Sequence, residues 1–304
     1  MRVFITGGTG WVGSVAITEF VAHGYQVVGL ARSEKSAAAL RELGAEVLLG
    51  HLEDLEVLKS GAMNADAIVH LAFVNDFGQM ERGCQVEQAA LCAMADAIAH
   101  SHKPLILSSG TLAVMDVDGV RGGEPATEDT PPLREMPPFS YRVRSEDILL
   151  ALAKEKEIRS MVVRFCPVVH GKGDVRFTTL FGSMAKQNGK AAYVGEGKTK
   201  WPAVHRVDVA VLLRLVVEKG KAGGMYHAVA EPGVPMNQVM ETIAKKVGVP
   251  AESVSREVAL QTMGPLGNLI AIDDTTSSDK TRRELGWEPK EIGWLKDIEQ
   301  NYFL

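Results

Sequence analysis

A doubly wound α/β fold built on a parallel sheet is what this sequence predicts, and three observations predict it. Strand-like apolar runs alternate with helical patterns over residues 1–165. Those runs are apolar on both faces, as strands are when helices cover both sides of a parallel sheet. The first run, VFIT, passes straight into glycines and then into helix-forming residues, the strand–turn–helix that opens such a fold.

Taken in order, RVFITG reads as a strand and WVGSVAITEFVAHG as a helix that Gly24 stops. QVVGLAR is the next strand, EKSAAALRELG the next helix, AEVLLG a strand and LEVLKSGAM a short helix. ADAIVHLA, KPLILSSG and SMVVRFCP follow as strands, separated by a long helix in QVEQAALCAMADAIAHS and another over residues 141–156. Residues 116–138, rich in Gly, Pro and acids, read as a long surface loop, a length at which loops are often functional. Beyond residue 166 the alternation fades into short helices such as MNQVMETIAKKVG. The expected organisation is a dinucleotide-binding domain at 1–165 and a smaller, irregular α/β substrate segment at 166–304, with 205–220 returning to the main domain.

The bulk properties agree. The chain has 304 residues, 46% hydrophobic and 23% charged, the profile of an ordinary globular protein. A formal charge of −5 gives no electrostatic case for nucleic acid or an anionic membrane. No apolar run approaches a bilayer-spanning length, and the N-terminus lacks the layout of a signal peptide. Cys84, Cys92 and Cys166 match no zinc pattern. Reduced thiols, a cytoplasmic location and no metal are the expectations.

The glycine turn carries the first chemistry. Gly7-x-x-Gly10-x-x-Gly13 follows a strand and opens a helix, the context of a Rossmann-type dinucleotide site. Gly7 permits the tight turn, Gly10 the approach of backbone to a pyrophosphate, and Gly13 close packing of helix on strand. The helix N-terminus offers free N–H groups to the phosphates. Gly7, Thr9, Gly10, Trp11, Val12 and Gly13 are therefore candidate cofactor contacts. Arg32 and Ser33 end the second strand where an acid would favour NAD. An arginine there pairs with a 2′-phosphate, so NADP(H) is the expected cofactor, with NAD(H) as the alternative.

TGGTGWVG, ARS at the second strand, HLA at 70–72, SSGT at 108–111, VVRFCPVVHGKGD at 162–174 and the late RRELGWEP resemble the short-chain dehydrogenase/reductase superfamily. More narrowly they resemble its extended or atypical branch, the NAD-dependent epimerase/dehydratase-like proteins, over essentially the whole chain. YVGEGKTKWPAVHRVDVAVLLRLVVEKG is similar to an intermediate-length, aldehyde-reductase-like subgroup. The resemblance implies that Leu71, Ala72 and Phe73 line the cofactor and that Leu52 and Glu53 lie near the adenine, with His51 where relatives carry an acid. It implies that Pro167 and Val168 sit against the nicotinamide, that Asp208 is structural, and that the protein is a homodimer.

One departure bears on mechanism. The superfamily pairs Tyr-x-x-x-Lys with a nearby Ser or Thr, the lysine lowering the phenol's pKa from about 10. Here the stretch is FSYRVRSEDILL: Tyr141 is followed four residues later by Ser145, and in the other register Arg142 takes the tyrosine place and Glu146 the lysine place. An epimerase or dehydratase needs a base, which an unactivated phenol supplies poorly. Carbonyl reduction needs only a proton donor beside the developing alkoxide.

The catalytic candidates are therefore Ser109, Thr111, Tyr141 and Arg142, with Ser108 near the cofactor. Four apart on a helix, Arg142 and Glu146 read either as an exposed ion pair or as a buried pair at the cofactor. Phe73, Asn75, Phe77, Phe165, His170, Phe177, Trp201 and His205 are candidate pocket walls for a small-molecule substrate. For each of them ordinary packing is the competing reading. The function expected is an NADPH-dependent reductase of a small aldehyde or ketone. The alternatives are a sugar-nucleotide epimerase or dehydratase, served by Lys186, Lys190, Lys198 and Lys200, and a non-catalytic NADP(H)-binding sensor.

Overall fold

The computed structural model describes residues 1–73, 77–117, 119 and 121–303. Among these, seven parallel strands form one sheet in the order β10-β6-β5-β4-β1-β2-β3. The strands are β1 (Arg2–Thr6), β2 (Gln26–Ala31), β3 (Glu46–Leu49), β4 (Ala67–His70), β5 (Pro104–Gly110), β6 (Arg159–Phe165) and β10 (Gly224–Ala228). Strand order reverses between β1 and β4. In such sheets ligands bind at that point, outside the carboxyl ends of the strands.

Alternation along each strand divides the core in two. Val3, Ile5, Val69, Ile106 and Val163 face α1 (Trp11–Ala22) and α7 (Arg206–Lys219). Phe4, Ile68, Leu105, Leu107 and Val162 face α3 (Leu55–Met63), α4 (Met80–Ala97) and α5 (Phe139–Glu155). Between β2 and β3 runs α2 (Glu34–Glu42), capped by Ser33. The helix expected from Gln85 onward begins five residues earlier, at Met80, because Met80, Glu81 and Arg82 are all sound helix formers.

A second core is built around Trp201, Phe181, Met236, Val239 and Trp294. It gathers β7 (Val168–His170), α6 (Phe177–Asn188), β8 (Ala191–Val194), β9 (Lys200–His205), β11 (Glu231–Pro235), α8 (Met236–Val247) and β12 (Ala251–Val254). The helices α9 (Arg256–Met263), α10 (Pro265–Leu269) and α12 (Trp294–Asn301) complete it. The chain crosses back to the main sheet with α7, and β10 then adds the strand beside β6. Leu285, which ends α11 (Asp279–Leu285), and Trp287 join the α1/α7 core. The return thus runs past residue 220 and is repeated near the C-terminus. Residues 116–138 form no helix or strand among the described residues before α5, though Ala126 bridges to Thr276.

Candidate active site

The glycine turn is as tight as its spacing predicts. Gly7 has φ +72°, and a Cβ there would stand 2.7 Å from the Ala72 nitrogen. A Cβ on Gly13 would stand 2.1 Å from the Gly7 carbonyl oxygen. Any side chain at either position would push α1 off β1 or close the crevice between β1 and β4. Gly10 caps α1 with no side-chain bond, and no acid occupies its first turn. The leading N–H groups of α1 are left for an anion, so the residues present fit a dinucleotide's pyrophosphate. Trp11 starts α1, its Nε1 donating to the Val169 carbonyl at 2.8 Å.

A cavity of about 310 Å³ opens where the chain leaves β3, lined by Leu52, Glu53, Leu55, Arg82, Gln85, Val86 and Ala89. Leu52 and Glu53 form one wall of it, and α4 supplies a wall the sequence does not reveal. His51 is exposed, its N–H donating to Asp54 Oδ2 at 2.7 Å. Arg32 is exposed at the end of β2 and makes no ion pair among the described residues. The Ser33 hydroxyl is occupied in capping α2, where it accepts from the Ser36 N–H at 3.3 Å.

Beneath the crevice a stripe of polar residues crosses the sheet on its α4/α5 face. Thr6 is in register with His70, and Ser109 with Arg164, which is in register with His227. Each stands one step beyond the apolar residues of its strand on that face. Thr6 Oγ1 lies 2.8 Å from His70 Nδ1 and accepts from the Ala72 N–H at 3.3 Å. Burial, with the Arg142 charge, pushes the His70 pKa down to about 3. Burial, with Arg164, does the same to His227, also to about 3. Both imidazoles are therefore neutral.

Two ion pairs meet the stripe, one part-buried and one fully buried. Arg142 donates to Glu87 Oε1 and to the Ser108 carbonyl, and its Cζ lies 4.2 Å from the centre of the Phe73 ring. Glu146 accepts from Arg164 through Nε at 3.0 Å and Nη2 at 2.6 Å. The Arg142–Glu146 pair expected from spacing is thus absent, both as a surface pair and as a buried one. Each residue finds a partner on another element, because each buried charge needs its own counter-ion. Burial raises the Glu87 pKa, and Arg142 opposes the rise.

Glu87, on α4 and far from α5 in sequence, escapes sequence reasoning; no spacing links it to Arg142. Tyr141 lies outside this network, its ring 5.7 Å from the exposed Arg144 guanidinium. The Ser109 and Thr111 hydroxyls, Glu87 Oε2, His70 Nε2 and Arg164 Nη1 are buried with no partner among the described residues. The Ser108 hydroxyl donates to the His70 carbonyl at 3.2 Å. Burial raises the Cys84 thiol to about 11, so it is no nucleophile.

The expected pocket walls divide. Phe73 and Phe165 are half-buried at the carboxyl ends of β4 and β6. Asn75 and the Phe77 side chain lie outside the described residues. Trp201 is fully buried in the second core, between Phe177 and Phe181, and is corrected to a packing residue. His170 is likewise corrected: it is buried, with Nδ1 2.7 Å from Asp297 Oδ2. His205 caps α7 through Nδ1, and burial and His170 hold its pKa below the usual value. Val168 turns its side chain to the second core, while Pro167 beside it is partly exposed. Lys190 and Lys198 pair with Glu252 and Glu196. No group of three or more His, Cys, Asp or Glu among the described residues is placed to hold a metal, and no helix among them is long and apolar enough to cross a membrane.

Residues 3–229 match the family model described as the NAD dependent epimerase/dehydratase family. An uncharacterized protein of Saccharomyces cerevisiae is 40% identical over 306 residues, covering 100% of both chains. The 4-hydroxy-2-methyl-3-oxo-4-farnesyl-3,4-dihydroquinoline-1-oxide ketoreductase of Stigmatella aurantiaca is 25% identical, over 94% of this chain and 92% of its own. The UDP-glucose 4-epimerase of Thermus thermophilus, solved with NAD, superposes with a TM-score of 0.76 at 20% identity, over 99% of this chain and 97% of that one.

Proposed function

The chain belongs to the NAD-dependent epimerase/dehydratase family and is an NAD(P)-dependent oxidoreductase of the extended short-chain type; from that premise we propose that it reduces a small aldehyde or ketone with NADPH. The observation that carries this reading is the placement of Arg142. Its guanidinium is fixed by Glu87, the Ser108 carbonyl and the Phe73 face, and in one of the two registers of the family motif it takes the tyrosine place.

The reduced nicotinamide, when bound, supplies the hydride. Around it, Gly7, Gly10, Gly13 and the leading amides of α1 hold the pyrophosphate. Leu52 and its neighbours take the adenine, and Arg32 takes the 2′-phosphate. Arg142 has N–H groups beyond those given to Glu87 and Ser108. It holds the carbonyl oxygen and stabilises negative charge growing there, without reorganisation, because it is already pinned. A guanidinium does not give up its proton. The proton therefore comes from water and is relayed by the Ser109 or Thr111 hydroxyl, both buried and unpartnered among the described residues.

The same network opposes epimerisation. A base is needed to take a hydroxyl proton, and the carboxylates at hand, Glu87 and Glu146, are each bound to a guanidinium. The ketoreductase among the relatives supports the same direction. The test is NADPH absorbance against a panel of short aldehydes, diketones and enones. Turnover supports the reading. Conversion of a nucleotide sugar without net cofactor change favours the epimerase, and tight NADPH binding with no turnover favours the sensor.

A further inference from the structure

The side chain of Arg206, the first residue of α7, makes no ion pair or hydrogen bond among the described residues. Its Cζ lies 4.1 Å from the centre of the Trp11 ring, and Trp11 is the first residue of α1, whose free amides face the pyrophosphate position. The indole is itself fixed by its bond to the Val169 carbonyl. From another side Gly171, with φ +149°, leaves the room the arginine stem fills: a Cβ there would stand 3.3 Å from Arg206 Cγ and Cδ. The guanidinium is thus held over an aromatic face rather than free in solvent.

This is a poor place for a cation alone. Arg206 stands at the positive end of its own helix, where acids are favoured. The acid in the first turn of α7, Asp208, does not compensate it. Both Asp208 oxygens accept main-chain N–H groups, from Lys290 at 2.8 Å and Glu291 at 3.1 Å. The titratable groups around the Gly171 turn are His205, Tyr302, which burial keeps protonated, and Asp174, whose Oδ2 accepts from the Tyr302 hydroxyl at 3.0 Å. A guanidinium with no anion bonded to it stands at the N-terminus of α7 and over the indole of the residue that begins α1, an arrangement that an anion relieves.

We propose that Arg206 is a further binding residue for the dinucleotide's pyrophosphate, adding a side-chain cation to the main-chain amides of the glycine turn. The proposal rests on the cofactor reading above. It differs in kind from the role of Arg32: the pyrophosphate is common to both nicotinamide coenzymes, so Arg206 tightens NADPH and NADH alike.

The test is equilibrium titration of the protein with NADPH and with NADH, followed by nucleotide fluorescence, for wild type, Arg206→Met and Arg206→Lys. Arg206→Met keeps the stem and removes the charge. The expected result is about a tenfold rise in Kd for both nucleotides, with Arg206→Lys in between. Raising salt should also weaken the wild type more than Arg206→Met. Affinities within twofold of wild type for Arg206→Met overturn the proposal while leaving the cofactor reading intact. An equal loss in both variants, with a lower melting temperature of the free protein, marks a packing role and also overturns it. If the wild type binds neither nucleotide, the cofactor reading falls and this proposal with it.

Discussion

Glu146 and Arg164 meet in a two-point ion pair beneath α5, with Nε 3.0 Å from Oε1 and Nη2 2.6 Å from Oε2, and with side chains 1% and 2% exposed. Glu146, on α5, is neutralised from β6. Removing one partner of such a pair strands a charge at a cost of about 3–5 kcal/mol, whereas replacing both by apolar groups is often neutral. Glu146→Gln and Arg164→Met should each lower urea stability by about that much. The double variant Glu146→Leu with Arg164→Met should recover most of it. Additive losses would show that the two side chains act independently.

The two neutral histidines set the acid limit of the fold. His70 and His227 have pKa values of about 3 in the folded chain, against about 6.5 when unfolded. As pH falls below 6.5 the unfolded chain takes up protons that the folded chain refuses. Their stabilisation is therefore complete above pH 6.5 and is lost progressively down to about pH 3. At pH 5 the loss is about 2 kcal/mol for each. Melting temperature should fall steeply between pH 6.5 and 4, and His227→Gln should flatten that slope. A profile unchanged by the substitution would remove His227 from the account.

Gly13→Ala tests the turn itself. Its Cβ would stand 2.1 Å from the Gly7 carbonyl oxygen and 2.8 Å from the Gly8 Cα, contacts that only a backbone shift relieves. The variant should lose nucleotide binding by isothermal calorimetry and melt several degrees lower. Native affinity would mean that this turn does not hold the cofactor.

Arg32→Ala tests coenzyme choice. With no ion pair to lose among the described residues, the substitution should leave stability within about 0.5 kcal/mol. It should weaken NADPH at least tenfold and NADH by less than twofold. Equal losses for both would contradict the 2′-phosphate assignment.

Much of this molecule is legible in its amino-acid order. Strand–helix alternation and the glycine spacing are local signals, and they place β1, α1 and the crevice. The departure from Tyr-x-x-x-Lys is equally visible. What stays hidden is long-range. Glu87 lies 55 residues from Arg142, and Arg164 lies 18 from Glu146, separations that no periodicity reports. Helical spacing instead suggests pairing Arg142 with Glu146, an inference valid on an exposed helix face. The sheet-facing side of α5 offers each of them a better-placed buried partner. Trp201 and His170 mislead for a related reason. Aromatic and imidazole side chains serve a pocket or a core equally well, and only burial separates the two.

The central claim is that a pinned guanidinium, not a phenol, faces the reacting carbonyl. Its most direct test is kcat with NADPH, on a carbonyl compound that the wild type reduces, for Arg142→Gln and Tyr141→Phe. Arg142→Gln should lose roughly 10²–10³-fold in kcat with NADPH affinity retained, while Tyr141→Phe should stay within twofold. Full activity in Arg142→Gln, with the loss falling on Tyr141→Phe, would contradict it.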